Sequence, residues 1–288
     1  MNRAGRGYIE LISVSIIWGL TYTVLKYSLE SLTPVNIAFF RFLIASLFFI
    51  PVVLIIKDHY SKKEYLSLIV LALSGILMYQ LFFIFGEKGM SAGNASFIVS
   101  MEPIFITILS IATREDKFSW IYLIGLLIST AGLLVLLQPG SLTGYEIISA
   151  IFILIAAFAW GIYTVVGRNL LANHNPLNVT AIVTFIGTVM LFPAAGFSSI
   201  NTLMHLSNGS LIAILFMGIA ATFLGYILWF DGLKYVKPTV AGATLYITPF
   251  ITAITAVFII SEPIGYNTII GGTMILAGVG ISSYNRKG

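Results

Sequence analysis

The sequence predicts an all-α, multi-pass membrane protein of ten transmembrane helices arranged as two inverted five-helix repeats. Three observations carry that prediction. Apolar runs long enough to cross a bilayer recur along the chain, the few basic residues gather in alternate connections, and residues of the first half return in the second half at fixed spacing.

Of the 288 residues, 58% are hydrophobic and 9% charged, with a mean hydropathy of +1.00. An ordinary soluble domain carries roughly 25% charge. A hydrocarbon layer of about 30 Å needs roughly 20 apolar residues at about 1.5 Å each. Runs of that length occupy about 8–27, 34–56, 66–86, 92–112, 119–138, 145–168, 177–198, 210–231, 239–260 and 264–284. They are continuous, unlike the alternating segments of about 10 residues that mark a membrane β-barrel. A helix also satisfies its backbone polar groups internally where there is no water. The first run follows Arg3 and Arg6 but continues to Lys26 without a small-residue cleavage signature, so it reads as a retained span. With no cysteine in the chain, disulfide scaffolds and thiolate metal or redox chemistry are excluded.

The basic residues orient the spans. With a cytoplasmic N-terminus, the inside segments hold Arg3, Arg6, Lys57, Lys62, Lys63, Arg114, Lys117, Arg168, Lys234, Lys237, Arg286 and Lys287, and the outside segments hold only Lys26 and Lys88. Lys and Arg in short loops collect on the cytoplasmic side. Both termini are therefore expected to be cytoplasmic and the protein to lie in a cell (plasma or inner) membrane. The basic clusters form no continuous patch with interleaved aromatics, which argues against a nucleic-acid partner.

The repeat is visible residue by residue. Trp18-Gly19 matches Trp160-Gly161, Pro34-Val35-Asn36 matches Pro176-Leu177-Asn178, and Pro51 matches Pro193, all at an offset of 142. Pro103 pairs with Pro249, Gly125 with Gly271 and Gly132 with Gly278 at an offset of 146, which places a small insertion near 196–209. The repeats are expected to span 1–140 and 141–288. Five spans in each make the second enter the membrane from the opposite side. Inverted repeats of this kind give many secondary transporters two interconvertible access states around a central site.

These residues resemble the EamA-type drug/metabolite transporter superfamily. The resemblance rests on the Trp-Gly of each first helix, on Pro-Val-Asn-Ile-Ala-Phe-Phe-Arg at 34–41, on Gly232-Leu233-Lys234-Tyr235, on Glu262-Pro263, and on the Gly125/Gly132 and Gly271/Gly278 pairs. It covers essentially the whole chain. It implies a secondary carrier of small organic metabolites, with amino acids or related compounds as the substrate class and ten helices around a central cavity. The chain departs from the family pattern at Glu115-Asp116, where a Glu-Pro is expected, and at Glu102, where an uncharged residue is more usual.

An ionisable side chain in mid-membrane costs at least about 2.5–3.5 kcal/mol, so it marks a functional site by default. Arg41 lies roughly 10 Å below the outer end of the second span and Glu102 about 15 Å below that of the fourth. Neither is repeated, since the offsets place Val183 and Thr248 at the equivalent positions. Three readings are open: Arg41 recognises an anionic group such as a carboxylate, Glu102 titrates and couples transport to protons, or the two form a pair joining two helices.

Trp18, Tyr22, Tyr79, Gln80, Trp160, Tyr163, Tyr226 and Tyr246 lie well inside their spans, away from the interfacial belts where Trp and Tyr gather. With Arg41 and Glu102 they make up the candidate substrate-binding or coupling residues, suited to an amphipathic or aromatic solute. Glu10, Lys26, Glu87, Asp231 and Glu262 fall at helix ends and are expected to be interfacial. Gly75, Gly89, Gly93, Gly218, Gly225 and Gly242 fit close helix approach, and Pro103 and Pro249 fit kinks that serve as hinges.

An enzyme would need a nucleophile with its base, a metal cluster or an acidic pair. His59, His174 and His205 fall in separate loops and build none of these, so no catalytic residue, metal or cofactor is expected. No Gly-x4-Gly-Lys-Ser/Thr loop is present for nucleotide-driven pumping. What remains is a secondary active transporter, exporter or exchanger, working as a monomer or homodimer with a small-molecule substrate, the lipid bilayer and coupling protons as partners. The alternative is a passive channel or a non-transporting membrane protein.

Overall fold

The computed structural model describes residues 3–55, 58–114, 117–137, 143–196 and 198–284. Glu115-Asp116, Lys57, Arg286 and Lys287 lie outside the described residues. Among the described residues, ten long helical rods account for most of the chain: α1 (Arg3–Ser28), α2 (Pro34–Ile55), α3 (Lys62–Lys88), α4 (Ala92–Ala112), α5 (Trp120–Leu137), α6 (Gly144–Leu170), α7 (Pro176–Ala195), α8 (Asn208–Tyr235), α9 (Pro238–Ile260) and α10 (Tyr266–Tyr284). Among the described residues, eight helices are long and apolar enough to span a membrane, and Leu123–Leu136 in α5 is a shorter apolar one. The fold is that of a polytopic all-α membrane protein with two repeats.

Local chemistry sets the helix starts. Ser61 and Glu64 form a reciprocal capping box at α3, as Thr143 and Glu146 do at α6, satisfying amides that have no intrahelical partner. Asn175, Ser207 and Ser91 cap α7, α8 and α4 in the same sense. The capping box makes α3 begin at Lys62, ahead of its apolar run. The short helix Ser198–Met204 occupies the connection where the repeat offset changes.

The equivalent rods deviate from ideal geometry in the same places. α3 widens into a π-helical segment over Ala72–Met78, and α8 does so over Phe216–Leu224. α4 is broken between Val99 and Glu102, and α9 between Thr244 and Ile247. Pro103 and Pro249 lie just beyond these breaks; neither can donate an amide to the carbonyl four residues back. The kinks expected from the prolines are therefore present, one turn earlier than the rings themselves.

Packing exchanges helices between the repeats. α1 lies against α8 and α9, and α6 lies against α3 and α4. A Cβ on Gly19 would stand 2.6 Å from Ile251 and 3.0 Å from the Thr248 carbonyl, while one on Gly161 would stand 3.2 Å from the Ile106 amide. The repeated Trp-Gly thus lets each first helix press onto the broken fourth helix of the opposite repeat.

Equivalent rods also meet each other directly. Ser46 of α2 bonds Thr188 of α7 at 2.8 Å, 142 residues on, and Ser129 of α5 bonds the Ile275 carbonyl of α10 at 3.1 Å. A Cβ on Gly132 would meet the Gly271 carbonyl oxygen at 2.7 Å, and one on Gly271 the Gly132 oxygen at 2.6 Å, so these backbones touch as small-residue membrane interfaces do. Large apolar side chains such as Leu54, Ile55, Val189, Phe258 and Ile259 point outward, where lipid would cover them.

At the Arg6 end of the bundle α1 is tied to α8 by charge. Arg6 bonds Glu10 at 2.7 Å and also holds Asp231. Nearby, His174 from the α6–α7 connection bonds Glu64 at 2.9 Å and stacks on Tyr60 with ring centroids 4.3 Å apart, joining the two repeats. His205 bonds the Asn201 carbonyl at 2.8 Å.

Candidate functional site

A cavity of about 520 Å³, its open mouth included, lies between the repeats. Trp18, Thr21 and Tyr22 reach it from α1, Arg41 from α2, and Tyr79, Gln80 and Phe83 from α3. Ser96, Val99, Ser100 and Glu102 flank the break in α4, and Trp160, Tyr226, Leu245 and Thr248 complete the lining from α6, α8 and α9.

The two π segments organise its polar wall. Arg41 is 3% exposed; its Nε donates to Thr222 Oγ1 at 2.9 Å and its Nη1 to Gln80 Oε1 at 2.9 Å. Gln80 in turn donates to the Tyr226 hydroxyl at 3.0 Å, and that hydroxyl donates to the Gly75 carbonyl at 3.3 Å. Thr222 and Gly75 each lie within a π segment. Such segments are frequent at functional sites. The guanidinium also lies 5.6 Å from the Phe42 ring centroid. Its Nη2 has no protein partner among the described residues.

Glu102 lines the cavity from α4, 3% exposed, with Oε1 lacking a hydrogen-bond partner; Tyr79 is its polar neighbour. Although their depths permit a pair, Arg41 and Glu102 form none: every ion pair among the described residues lies elsewhere, at Arg6 or His174. A helix-joining role through mutual neutralisation is thereby removed. The two charges face one cavity separately.

Aromatic rings form the cavity floor. Trp18 and Trp160, equivalent residues of the two repeats, meet edge to face at 5.1 Å, and both contact Tyr226 and Trp229. Trp18 Nε1 donates to the Ala221 carbonyl at 2.9 Å, whereas Trp160 Nε1 has no partner among the described residues. Tyr22 packs edge on against Phe83 at 5.1 Å.

Eight of the ten residues singled out in the sequence line the cavity: Arg41, Glu102, Trp18, Tyr22, Tyr79, Gln80, Trp160 and Tyr226. Tyr163 does not. It stacks behind Trp160 at 4.9 Å, where Gly75 leaves room for its ring. Tyr246 sits at the break in α9, outside the lining. Sequence reasoning missed Thr21, Ser96, Ser100 and Thr248. Their hydroxyls donate to backbone carbonyls of Ile17, Gly93, Ser96 and Ser15, leaving oxygen lone pairs for the cavity. For Ser96, Ser100 and Thr248, hydroxyl residues flanking a helix break were the signal that could have found them.

Of the charges placed at the interface, Glu87 is a correction: it is fully buried, with neither carboxyl oxygen hydrogen-bonded. Counting along α3 gives its height near the rod's end but not the neighbours that close over it. Lys26 donates to the carbonyls of Glu87 and Met90 at 3.1 and 2.6 Å. Glu262 accepts from the amides of Ala92 and Gly93 at 3.1 and 3.2 Å, at the start of α4.

Fold and cavity together define a repeated, polytopic α-helical membrane protein with a polar and aromatic chamber between its halves. The model of the EamA-like transporter family matches residues 5–138 and again 147–284. The chain is 30% identical over 272 residues to an uncharacterized transporter of Archaeoglobus fulgidus, covering 94% of this chain and 96% of the relative. It is 27% identical over 295 residues to the uncharacterized transporter YyaM of Bacillus subtilis, covering 97% and 96%. A solved crystal structure superposes with a TM-score of 0.71 over 99% of this chain and 100% of that one, at 15% identity, a likeness of fold alone. The chain belongs to the EamA-like transporter family. It is a membrane transporter of the drug/metabolite transporter superfamily.

Proposed function

We propose that the protein is a secondary active transporter, exporter or exchanger, of small zwitterionic metabolites, amino acids or related compounds, working by alternating access to the central cavity. The observation that carries this reading is the polarised lining. Arg41 offers an unpartnered N–H on the α2 side, which suits a carboxylate. Glu102 and the lone pairs of Thr21, Ser96, Ser100 and Thr248 offer acceptors on the α1, α4 and α9 side, which suit an ammonium group. Aromatic rings between them accommodate an apolar side chain.

The repeat symmetry supports the cycle. Each first helix packs on the π-widened and broken helices of the other repeat, so rocking one repeat against the other would open one end of the cavity while closing the opposite end. The repeats, taken as 1–140 and 141–288, would be the moving bodies. Glu102 is the candidate for proton coupling, and both termini are proposed to face the cytoplasm of a cell-membrane protein.

A ligand that binds the folded protein stabilises it by RT ln(1 + [L]/Kd), so a thermal-shift panel tests the reading. Zwitterionic amino acids should raise the melting temperature of the purified protein, while their amides and decarboxylated amines should not, and Arg41→Met should abolish the shift. Equal shifts from the amines, or an unchanged shift in the variant, would contradict it.

A further inference from the structure

We infer that Glu87 is a second proton-binding site, one helical turn beyond the cavity at the end of the bundle that carries Lys26 and Lys88. Phe83 lines the cavity and Glu87 follows four residues later on the same face of α3; Tyr22 lines it and Lys26 follows four residues later on α1. Lys26 and Glu87 thus form the next layer of the same passage.

The repeat shows which part of that layer the fold requires. Lys26 donates to the Glu87 carbonyl near the end of α3 at 3.1 Å. Its equivalent Arg168, 142 residues on, donates to the Lys234 carbonyl near the end of α8 at 3.1 Å. The cation therefore belongs to the shared frame, where it complements the negative end of a helix. At the position equivalent to Glu87, 146 residues on, stands Leu233, which is also 0% exposed. A leucine fills that place in the second repeat, so packing does not demand an acid, and the carboxyl group is an addition confined to one end of the molecule.

That carboxyl group is 0% exposed, makes no hydrogen bond and has no ion pair among the described residues. The groups that face it are Lys26 and Tyr22 of α1, Arg41 of α2 and Glu262 of the α9–α10 connection; from α6, Tyr145 stands beside Gly89 in the following turn. Lys26 is committed to two carbonyls and Arg41 to Thr222 and Gln80, while Glu262 adds like charge. An ionised carboxylate left unpaired in such a place costs far more than the same group carrying a proton. A proton from water at the Lys88 end, bound to one carboxyl oxygen, removes the uncompensated charge while the side chain is buried. Opening of the α1–α3 seam admits water and lets the proton leave.

The role of this site in transport rests on the carrier reading above, but its occupancy by a proton does not. Infrared difference spectra of the full-length protein in bilayers, recorded through pH steps in H2O and D2O, read the un-ionised carboxyl stretch directly. The expected result is a deuterium-sensitive carboxylic-acid band at neutral pH that persists in Glu102→Gln and loses one component in Glu87→Gln. Glu87→Leu, which copies the second repeat, should lose the same component and keep the wild-type melting temperature. An unchanged band in both Glu87 variants would overturn the inference. If vesicles show no saturable uptake while the band behaves as expected, the carrier reading falls and the proton site stands.

Discussion

Gln80 and Tyr226 stand at equivalent positions of the two repeats, 146 residues apart, and bond to each other across the middle of the molecule at 3.0 Å. Each follows the π segment of its own helix, and through Gln80 the pair anchors Arg41. One amide therefore links the symmetric frame to the asymmetric charge.

Tyr226→Phe would leave the Gln80 amide and the Gly75 carbonyl without that partner. A buried polar group so exposed costs about 1–3 kcal/mol, which corresponds to a fall in melting temperature of several degrees for a chain of this size. Gln80→Leu should cost at least as much, since it also frees Arg41. Thermal unfolding of both single variants and the double variant should show a combined loss smaller than the sum, as for any two residues in one network.

Arg41→Lys keeps the charge but has one nitrogen in place of the guanidinium's three, so it cannot stand beside Thr222 and Gln80 and also face the cavity at the Nη2 position. Substrate affinity, read as KM in vesicle uptake, should weaken about 10-fold, the scale of one charge-assisted hydrogen bond. Arg41→Met should reduce uptake to background. Wild-type kinetics in either variant would remove Arg41 from the binding site.

Glu102→Gln keeps size and removes the titratable group. Uptake by this variant should persist with a flattened response to external pH, measured across the range in which the wild-type rate changes. An unchanged rate and an unchanged pH response would exclude Glu102 as the coupling group.

At the α5–α10 contact, a Cβ on Gly271 would stand 2.5 Å from the Leu136 amide and 2.6 Å from the Gly132 oxygen. Gly271→Val should therefore lower the melting temperature sharply or prevent accumulation of folded protein. Gly265→Ala is the control, because among the described residues only Thr268, at 3.8 Å, lies near its Cβ position. Size-exclusion profiles of the two variants check the contrast.

Much of the frame was legible because identity and spacing repeat. Trp18-Gly19 and Trp160-Gly161 announced the two halves, and the tryptophans meet at the centre. The breaks near Pro103 and Pro249 followed from a missing amide. The π segments were not legible, because Ala72–Met78 and Phe216–Leu224 have no composition that separates them from ordinary membrane helix. Depth along a helix brought Arg41 and Glu102 to one level, but height says nothing of the direction in which a side chain points. Their separation required the packing of α2 and α4. The same limit hid Glu87, whose end of α3 packs chiefly against α6 of the other repeat, a neighbour that height along α3 does not reveal.

Counterflow tests the central claim, that a saturable cavity moves its solute by turns from one face to the other. Reconstituted vesicles loaded with an unlabelled amino acid that gives a thermal shift would receive the labelled form outside at low concentration. The expected result is saturable uptake with a transient accumulation above equilibrium that disappears in Arg41→Met. Flux that rises linearly with concentration and shows no overshoot, or no flux for any such solute, would contradict it.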